Sequence, residues 1–311
     1  MTVSPRLRRL GWLLAAAIVA LLVALAVAQV AERNARTRFA AALAADARLR
    51  QALLASEVAR FRLLPLAIAD DRDLVAALAA KPGAAQALNL KLEMLARETG
   101  AAAIYAIAPG GRTIAASNWR QARSFVGRDY RFRRYFAEAE RNGIAEQFAL
   151  GTVSGQPGLY LSRRTRGGGV VVVKLEFGRV ERQWQAAGGI TFVTDRAGIV
   201  LVTSRPEWRF AATRSIAPAL AARARAEIGV AALKPAPFTA RDDGRVRVAG
   251  SAAPAMIATT PPDASGWRVA LAMPTTQAID APARNAAIVA ALATLALLAL
   301  GWAWRGRARR R

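Results

Sequence analysis

Two uninterrupted apolar runs bracket a long region whose apolar positions recur first at helical and then at strand spacing. Leu10 to Gln29 reads LGWLLAAAIVALLVALAVAQ, 20 residues without a charge. At helical rise that is about 30 Å, the thickness of a bilayer's hydrocarbon core. Asn285 to Trp304 reads NAAIVAALATLALLALGWAW and does the same, with Trp302 and Trp304 where an interfacial aromatic belt falls. Arg6, Arg8 and Arg9 precede the first run, and RGRARRR follows the second. The positive-inside rule then places both ends in the cytoplasm and residues 30–284 outside, on the periplasmic face of an inner membrane. A cleaved signal peptide is the competing reading of the first run. Its apolar core is usually about 7–15 residues, and the second span would then lack a partner that fits the charges.

Residues 30–64 carry almost no helix breaker. Phe39, Leu43, Leu49, Leu53, Leu54, Val58 and Phe61 recur at helical spacing, which predicts one long helix leaving the membrane and bent or ended by Pro65. Asp71 caps a short helix that stops before Lys81-Pro82-Gly83. A further helix carries Leu88, Leu92 and Leu95 and closes at Gly100.

Short strands follow. Ala102–Ala108 and Arg112–Ser117 flank the turn Pro109-Gly110-Gly111, and Phe148–Val153, Gly158–Arg164 and Gly169–Phe177 come next, then a helix over Val180–Ala187. A second set runs through Ile190–Thr194, Gly198–Thr203, Arg245–Ala252, Ala255–Thr260 and Trp267–Met273. IYAIAPGGRTIAAS and ITFVTDRAGIVLVTS share a weak likeness that points to an internal duplication. The predicted fold is α/β (α+β): two tandem modules, 83–187 and 188–281, behind helices over 30–82. Spans 10–29 and 282–304 and basic tails 1–9 and 305–311 complete the division.

Composition narrows the chemistry. The chain has no cysteine and no histidine. That excludes a disulfide framework, a thiolate nucleophile or metal site, and the commonest general base. Net charge is +24, from 45 basic and 21 acidic residues; the eight arginines outside the spans leave 37 basic against 21 acidic between them. Nucleic acid is the obvious partner for such a charge. A location outside the cytoplasm argues against it and favours an anionic ligand or an anionic membrane surface. No paired-carboxylate motif, phosphate loop or metal cluster appears, and Gly167-Gly168-Gly169 precedes a strand, which makes it a turn. The chain therefore reads as a non-enzyme without a cofactor.

Longer stretches carry a resemblance. LNLKLEMLARETGAAAIYAIAPGGRTIAASNW, SFVGRDYRFRRYF, FALGTVSGQPGLYLSRR, GVVVVKLEF and TDRAGIVLVTSRPEWRF closely resemble the outer region of bacterial C4-dicarboxylate sensor histidine kinases. The likeness is strong over roughly residues 85–215, and the spans and first helix match by architecture. It implies a double Cache fold, two PAS-like modules in tandem behind a long helix. It implies binding of succinate, malate or fumarate, dimers formed along the long helix, and a dicarboxylate transporter as a possible partner. The family usually shows proline at Arg134, arginine at Gln156 and an aromatic residue at Leu159. Its members continue past the second span into a histidine-bearing dimerisation domain and an ATP-binding domain, where only RGRARRR stands here. The expectation is an input region whose output comes from elsewhere.

A C4-dicarboxylate is a flexible dianion that needs charged donors at each end to offset lost hydration. The resemblance places the site in the first module and matches Tyr130 and Arg133 to ligand contacts; Arg133 can fork onto a carboxylate. Composition alone would make Arg133 one more surface arginine beside Arg128, Arg131 and Arg134, and Tyr130 a core tyrosine. Lys174 stands out by itself. It is the one charge within Val170-Val171-Val172-Val173-Lys174-Leu175, on the face of Val170 and Val172 by strand alternation. A ligand carboxylate would satisfy it; an edge strand with the ammonium in water is the alternative. Gly151, Thr152 and Ser154 offer neutral donors at a strand end, and Ser117 lies at another; either could be an ordinary turn. Two other classes stay open: a Cache input of a chemoreceptor or nucleotide-cyclase-type protein with another organic ligand, and an interaction protein that binds no small molecule.

Overall fold

The structure, a computed structural model, describes residues 5–308; the outer residues of both predicted basic tails, 1–4 and 309–311, lie outside the described residues. The chain is mixed α/β. A 65-residue helix, α1 (Pro5–Ala69), leads into α2 (Arg72–Leu78) and α3 (Ala84–Thr99), and strands in two sheets follow. Two helical stretches, Gly11–Ala69 and Thr276–Arg307, are long and apolar enough to cross a membrane. Their leucines, such as Leu13, Leu21, Leu297 and Leu300, are exposed, with no protein packed over them.

Of the two outcomes the sequence allows at Pro65, a bend or an end, α1 does not end there; it continues to Ala69. An internal proline costs a helix about 3 kcal/mol through its missing N–H and its ring clash. Phe61, Ile68 and Ala69 on either side of it are buried in one core, and that packing keeps the last turn helical. Asp71 caps α2 as expected, its carboxylate accepting from the Asp73 N–H at 3.0 Å. α3 closes on Gly100 at φ 76°, a conformation glycine adopts without a Cβ penalty.

The chain falls into two compact units. One holds residues 48–237 and 260–270, and the other holds the rest. The first contains a five-stranded antiparallel sheet in the order β2-β1-β5-β4-β3. Its strands are β1 (Ala103–Ile107), β2 (Thr113–Ala116), β3 (Ile144–Leu150), β4 (Pro157–Arg164) and β5 (Val170–Leu175). Helices α4 (Arg134–Asn142) and α5 (Gly178–Ala186) accompany them. Alternation along β5 divides the core. Val171 and Val173 pack with Leu54, Phe61, Leu88 and Leu92, while Val170 and Val172 pack with the aromatic side chains of the opposite face.

The same unit holds a hairpin of β6 (Ile190–Thr194) and β7 (Val200–Thr203), followed by α6 (Pro218–Ile228). The likeness between the two stretches of sequence is also a likeness of structure. Each hairpin shifts register near its turn, at Ala106/Ile107 and at Val193/Thr194. Each is closed by a serine: Ser117 Oγ accepts from the Ile104 N–H, and Ser204 Oγ from the Thr191 N–H, both at 3.0 Å.

β3 starts four residues before the predicted Phe148 and stops at Leu150. Gly143 ends α4 at φ 84°, so pairing with β4 begins at once with Ile144 opposite Arg163. Beyond Leu150 the Gly151 N–H turns onto the Gln156 carbonyl, which makes Gly151–Val153 part of a turn.

In the second unit, β8 (Phe238–Ala240), β9 (Val246–Val248) and β10 (Pro254–Thr259) pair antiparallel. Leu271, in β11 (Arg268–Pro274), packs on Leu43 and Ala47 of α1. A single π turn, Thr276–Asp280, leads into α7 (Ala281–Ala308).

Candidate functional site

Arg133 is the N-cap of α4, with extended backbone at φ −84° and no side-chain cap of its own. Its guanidinium is therefore free for other work, yet it is only 6% exposed. Nη2 donates to the Leu150 carbonyl at 2.7 Å, and the group lies 5.1 Å from the Phe132 ring centre. Among the described residues no carboxylate lies within ion-pair distance of it. A buried guanidinium with five donors and one backbone acceptor is an anion receptor in waiting.

Tyr130 is buried beside it, and its hydroxyl, with the Thr152 side chain as its near neighbour, makes no hydrogen bond of good geometry among the described residues. Burial raises its phenol, and Thr152 and the charge of Arg133 pull the other way. All four tyrosines of the chain gather here. The hydroxyls of Tyr105 and Tyr135 are 2.7 Å apart, and Tyr135 stacks on Tyr160 at 4.9 Å. Burial holds Tyr105 and Tyr135 well above the usual phenol range, so both remain neutral donors.

Lys174 shares this face. β5 lies between β1 and β4, so it is a central strand and not an edge, and Lys174 is 1% exposed. Its ammonium donates to Ser154 Oγ at 2.7 Å and to the Gln156 carbonyl at 3.0 Å, and it pairs with Glu176. All three donors are used. Burial lowers its pKa, and Glu176 works against that. The lysine thus ties down the turn that carries Thr152. Gly151 is required at the start of that turn, because a Cβ would sit 2.5 Å from Ser154 Oγ and 3.0 Å from both the Tyr160 hydroxyl and the Gln156 carbonyl.

A cavity of about 390 Å³ opens along Arg133, Arg134, Gln147, Gly151, Thr152 and Glu227. The fold thus brings Tyr130, Arg133, Gly151 and Thr152 together and sets Ser154 and Lys174 against the same turn. Ser117 is elsewhere; its hydroxyl is committed to the first hairpin, as Ser204 is to the second.

The pattern of the sequence left several participants unmarked. Glu176, the partner of Lys174, lies just past the strand. Gln147 falls just before the strand that the sequence predicts from Phe148. Arg134 stands where the resembling family carries proline, and the fold shows why either residue serves: it is the first helical position of α4, where proline is well tolerated. The arginine adds bonds to Glu138 at 2.9 Å and to the Glu146 carbonyl at 3.1 Å, and its Nε lies 2.8 Å from Glu227. One signal was visible in the sequence, the confinement of every tyrosine to residues 105–160.

No family model matches the chain. It is 42% identical over 312 residues to the C4-dicarboxylate transport sensor protein DctB of Rhizobium meliloti (strain 1021), across 94% of this chain and 50% of that protein. It is 36% identical over 216 residues to the protein of the same name from Pseudomonas aeruginosa, across 68% of this chain and 34% of that one. The chain therefore spans half or less of the length of these curated relatives. Among solved structures, the sensor domain of the Vibrio cholerae histidine kinase DctB matches with a TM-score of 0.64 at 25% identity, over 75% of this chain and 97% of that one. The ligand-binding domain of the Pseudomonas fluorescens chemoreceptor CtaA, in complex with L-serine, shares the fold at a TM-score of 0.55 and 16% identity, over 77% of this chain and 99% of that one.

Proposed function

We propose that this chain, homologous to the C4-dicarboxylate transport sensor proteins DctB over their sensor region, is a membrane-anchored receptor that binds C4-dicarboxylates on the periplasmic side and feeds a two-component signalling pathway. The observation that carries the reading is Arg133, buried with no carboxylate in ion-pair distance among the described residues and set beside a tyrosine hydroxyl that makes no hydrogen bond among them. One ligand carboxylate forks onto Arg133 and accepts from Tyr130. The other end meets Thr152 and the Ser154–Lys174 pair, where it competes with Glu176 for the ammonium. A monocarboxylate leaves one desolvated donor set unmatched, at a cost of about 1–3 kcal/mol.

The same reading places both tails in the cytoplasm and pairs two copies along α1, whose Leu49, Leu53 and Leu63 are exposed at near-heptad spacing. It also takes a dicarboxylate transporter as a candidate partner. Calorimetry on the full chain in lipid nanodiscs tests the ligand. Succinate, malate or fumarate binds, and acetate and butyrate bind at least about tenfold more weakly. Equal binding of mono- and dicarboxylates, or binding of L-serine in place of both, overturns the assignment. A reporter enzyme active only in the periplasm, fused after residue 150, tests the topology; an inactive fusion reverses it.

A further inference from the structure

Two helix ends meet at Gln147. α4 begins at Arg133 without a side-chain cap, so its first N–H groups need outside partners. α6 ends at Gly229, in the left-handed conformation at φ 84°, and its last carbonyls need donors. Gln147, on β3 and 4% exposed, answers both needs. Its side-chain oxygen accepts from the Tyr135 N–H at 3.0 Å, and its amide nitrogen donates to the Glu227 carbonyl at 2.7 Å. Only a side chain with a donor and an acceptor on one carbon can do this. An aliphatic residue orphans both groups, and a glutamate meets the carbonyl with like charge.

Two further contacts lie along the same seam. The Arg134 guanidinium is within 2.8 Å of the Glu227 carboxylate. A Cβ on Gly229 would be 3.5 Å from Nη1 of Arg133, so the end of α6 lies against the anion-binding group itself. α6 follows the β6–β7 hairpin and so belongs to the second of the two repeated sets of strands.

We propose that Gln147 is a positioning residue that staples the start of α4 to the end of α6, so that a ligand drawing on Arg133 is felt at α6. This rests on the reading that Arg133 takes a dicarboxylate. A ligand that pulls the first turn of α4 inward moves the Tyr135 N–H. Gln147 cannot follow without carrying the Glu227 carbonyl along.

The test is amide hydrogen exchange of residues 225–230 in the full chain in nanodiscs, with and without saturating succinate, for the parent and for Gln147→Met and Gln147→Glu. In the parent, succinate slows exchange there severalfold. In Gln147→Met, exchange is faster without ligand, the response to succinate is lost, and affinity falls about tenfold. Gln147→Glu keeps the acceptor for Tyr135 and loses the donor to α6, so it too shows faster exchange and no response; it stands in if the methionine variant fails to fold. A merely structural glutamine would leave the response to succinate in place, and that result overturns the proposal. If succinate does not bind the parent at all, the reading of Arg133 is what fails. The staple is then judged on the ligand-free comparison, where equal exchange in parent and variants overturns it.

Discussion

Arg133 and Leu150 are joined by a 2.7 Å hydrogen bond from guanidinium to backbone carbonyl, and that bond, with the Phe132 ring 5.1 Å away, holds a buried positive charge at the head of α4. The rest of its donor capacity is uncommitted to any carboxylate among the described residues. On the proposed reading, Arg133→Ala removes the anchor of the dicarboxylate. Affinity for succinate falls by about 2–5 kcal/mol, which would turn a micromolar Kd into one between about 30 μM and a few millimolar. Arg133→Lys does not restore it, because an ammonium cannot fork onto a carboxylate. Calorimetry decides the matter: an alanine variant that binds succinate like the parent places the site elsewhere.

Tyr130→Phe separates stability from binding. The hydroxyl it deletes is buried and makes no hydrogen bond among the described residues, which costs the ligand-free fold about 1–3 kcal/mol. The variant melts at the same temperature or higher without ligand, and it binds succinate more weakly. A lower melting temperature would mean that the hydroxyl is bonded after all, and unchanged affinity would remove it from the ligand's contacts.

How much of this was legible beforehand depended on the kind of signal. The valine run predicted β5 and the face of Lys174, because period-two alternation survives in any strand. The run leaves two ways to satisfy that ammonium, a ligand carboxylate or water reached from an edge strand. The partners of Lys174 come instead from a turn 20 residues upstream and from Glu176, and no periodicity reports where a turn folds back. Pro65 is a related case, where the sequence leaves a bend or an end open. Local propensity spoke against the helix, and the burial of Phe61 and Ile68 outweighed it. Gln147 carries no local signal, since its importance lies in bonds to two helix ends, at residues 12 and 80 positions away in the chain.

Lys174→Met has a signature in pH. Burial depresses the pKa of the folded lysine below its ordinary 10.5, despite Glu176. The unfolded chain then holds more protons than the folded one between the depressed value and 10.5, so this residue makes stability rise with pH across that window. Below the window its penalty is fully present. The difference in melting temperature, parent minus variant, should therefore climb as pH is raised toward 10.5. Succinate binding falls in the variant, while the fold persists, because Glu176 and Ser154 are exposed enough to hydrate. A difference that is flat across the alkaline range would show that the lysine titrates normally.

The last prediction concerns the ends of the spans. Arg245 is 9% exposed, and within the second unit it reaches three elements. Nη1 donates to Thr275 Oγ1 at 3.1 Å and to Asp280 at 2.7 Å, and Nη2 donates to Glu32 at 3.2 Å. Asp243 lies 3.8 Å from Nε. Glu32 is three residues beyond the first apolar run, and Asp280 is the residue before α7. One guanidinium thus clasps the ends of both candidate membrane helices next to the folded region through the π turn, and such a turn often marks a functional joint. Arg245→Met leaves three carboxylates facing one another without a cation. Each is more than a third exposed and can hydrate, so the loss is moderate, about 1–3 kcal/mol, and local. Amide exchange should quicken at residues 275–282 and around Glu32 while the five-stranded sheet keeps its protection. Arg245→Lys should restore only part, since one ammonium reaches one carboxylate well and cannot fork between two. Exchange that stays at parental rates at both helix ends would show that the clasp does not hold the spans.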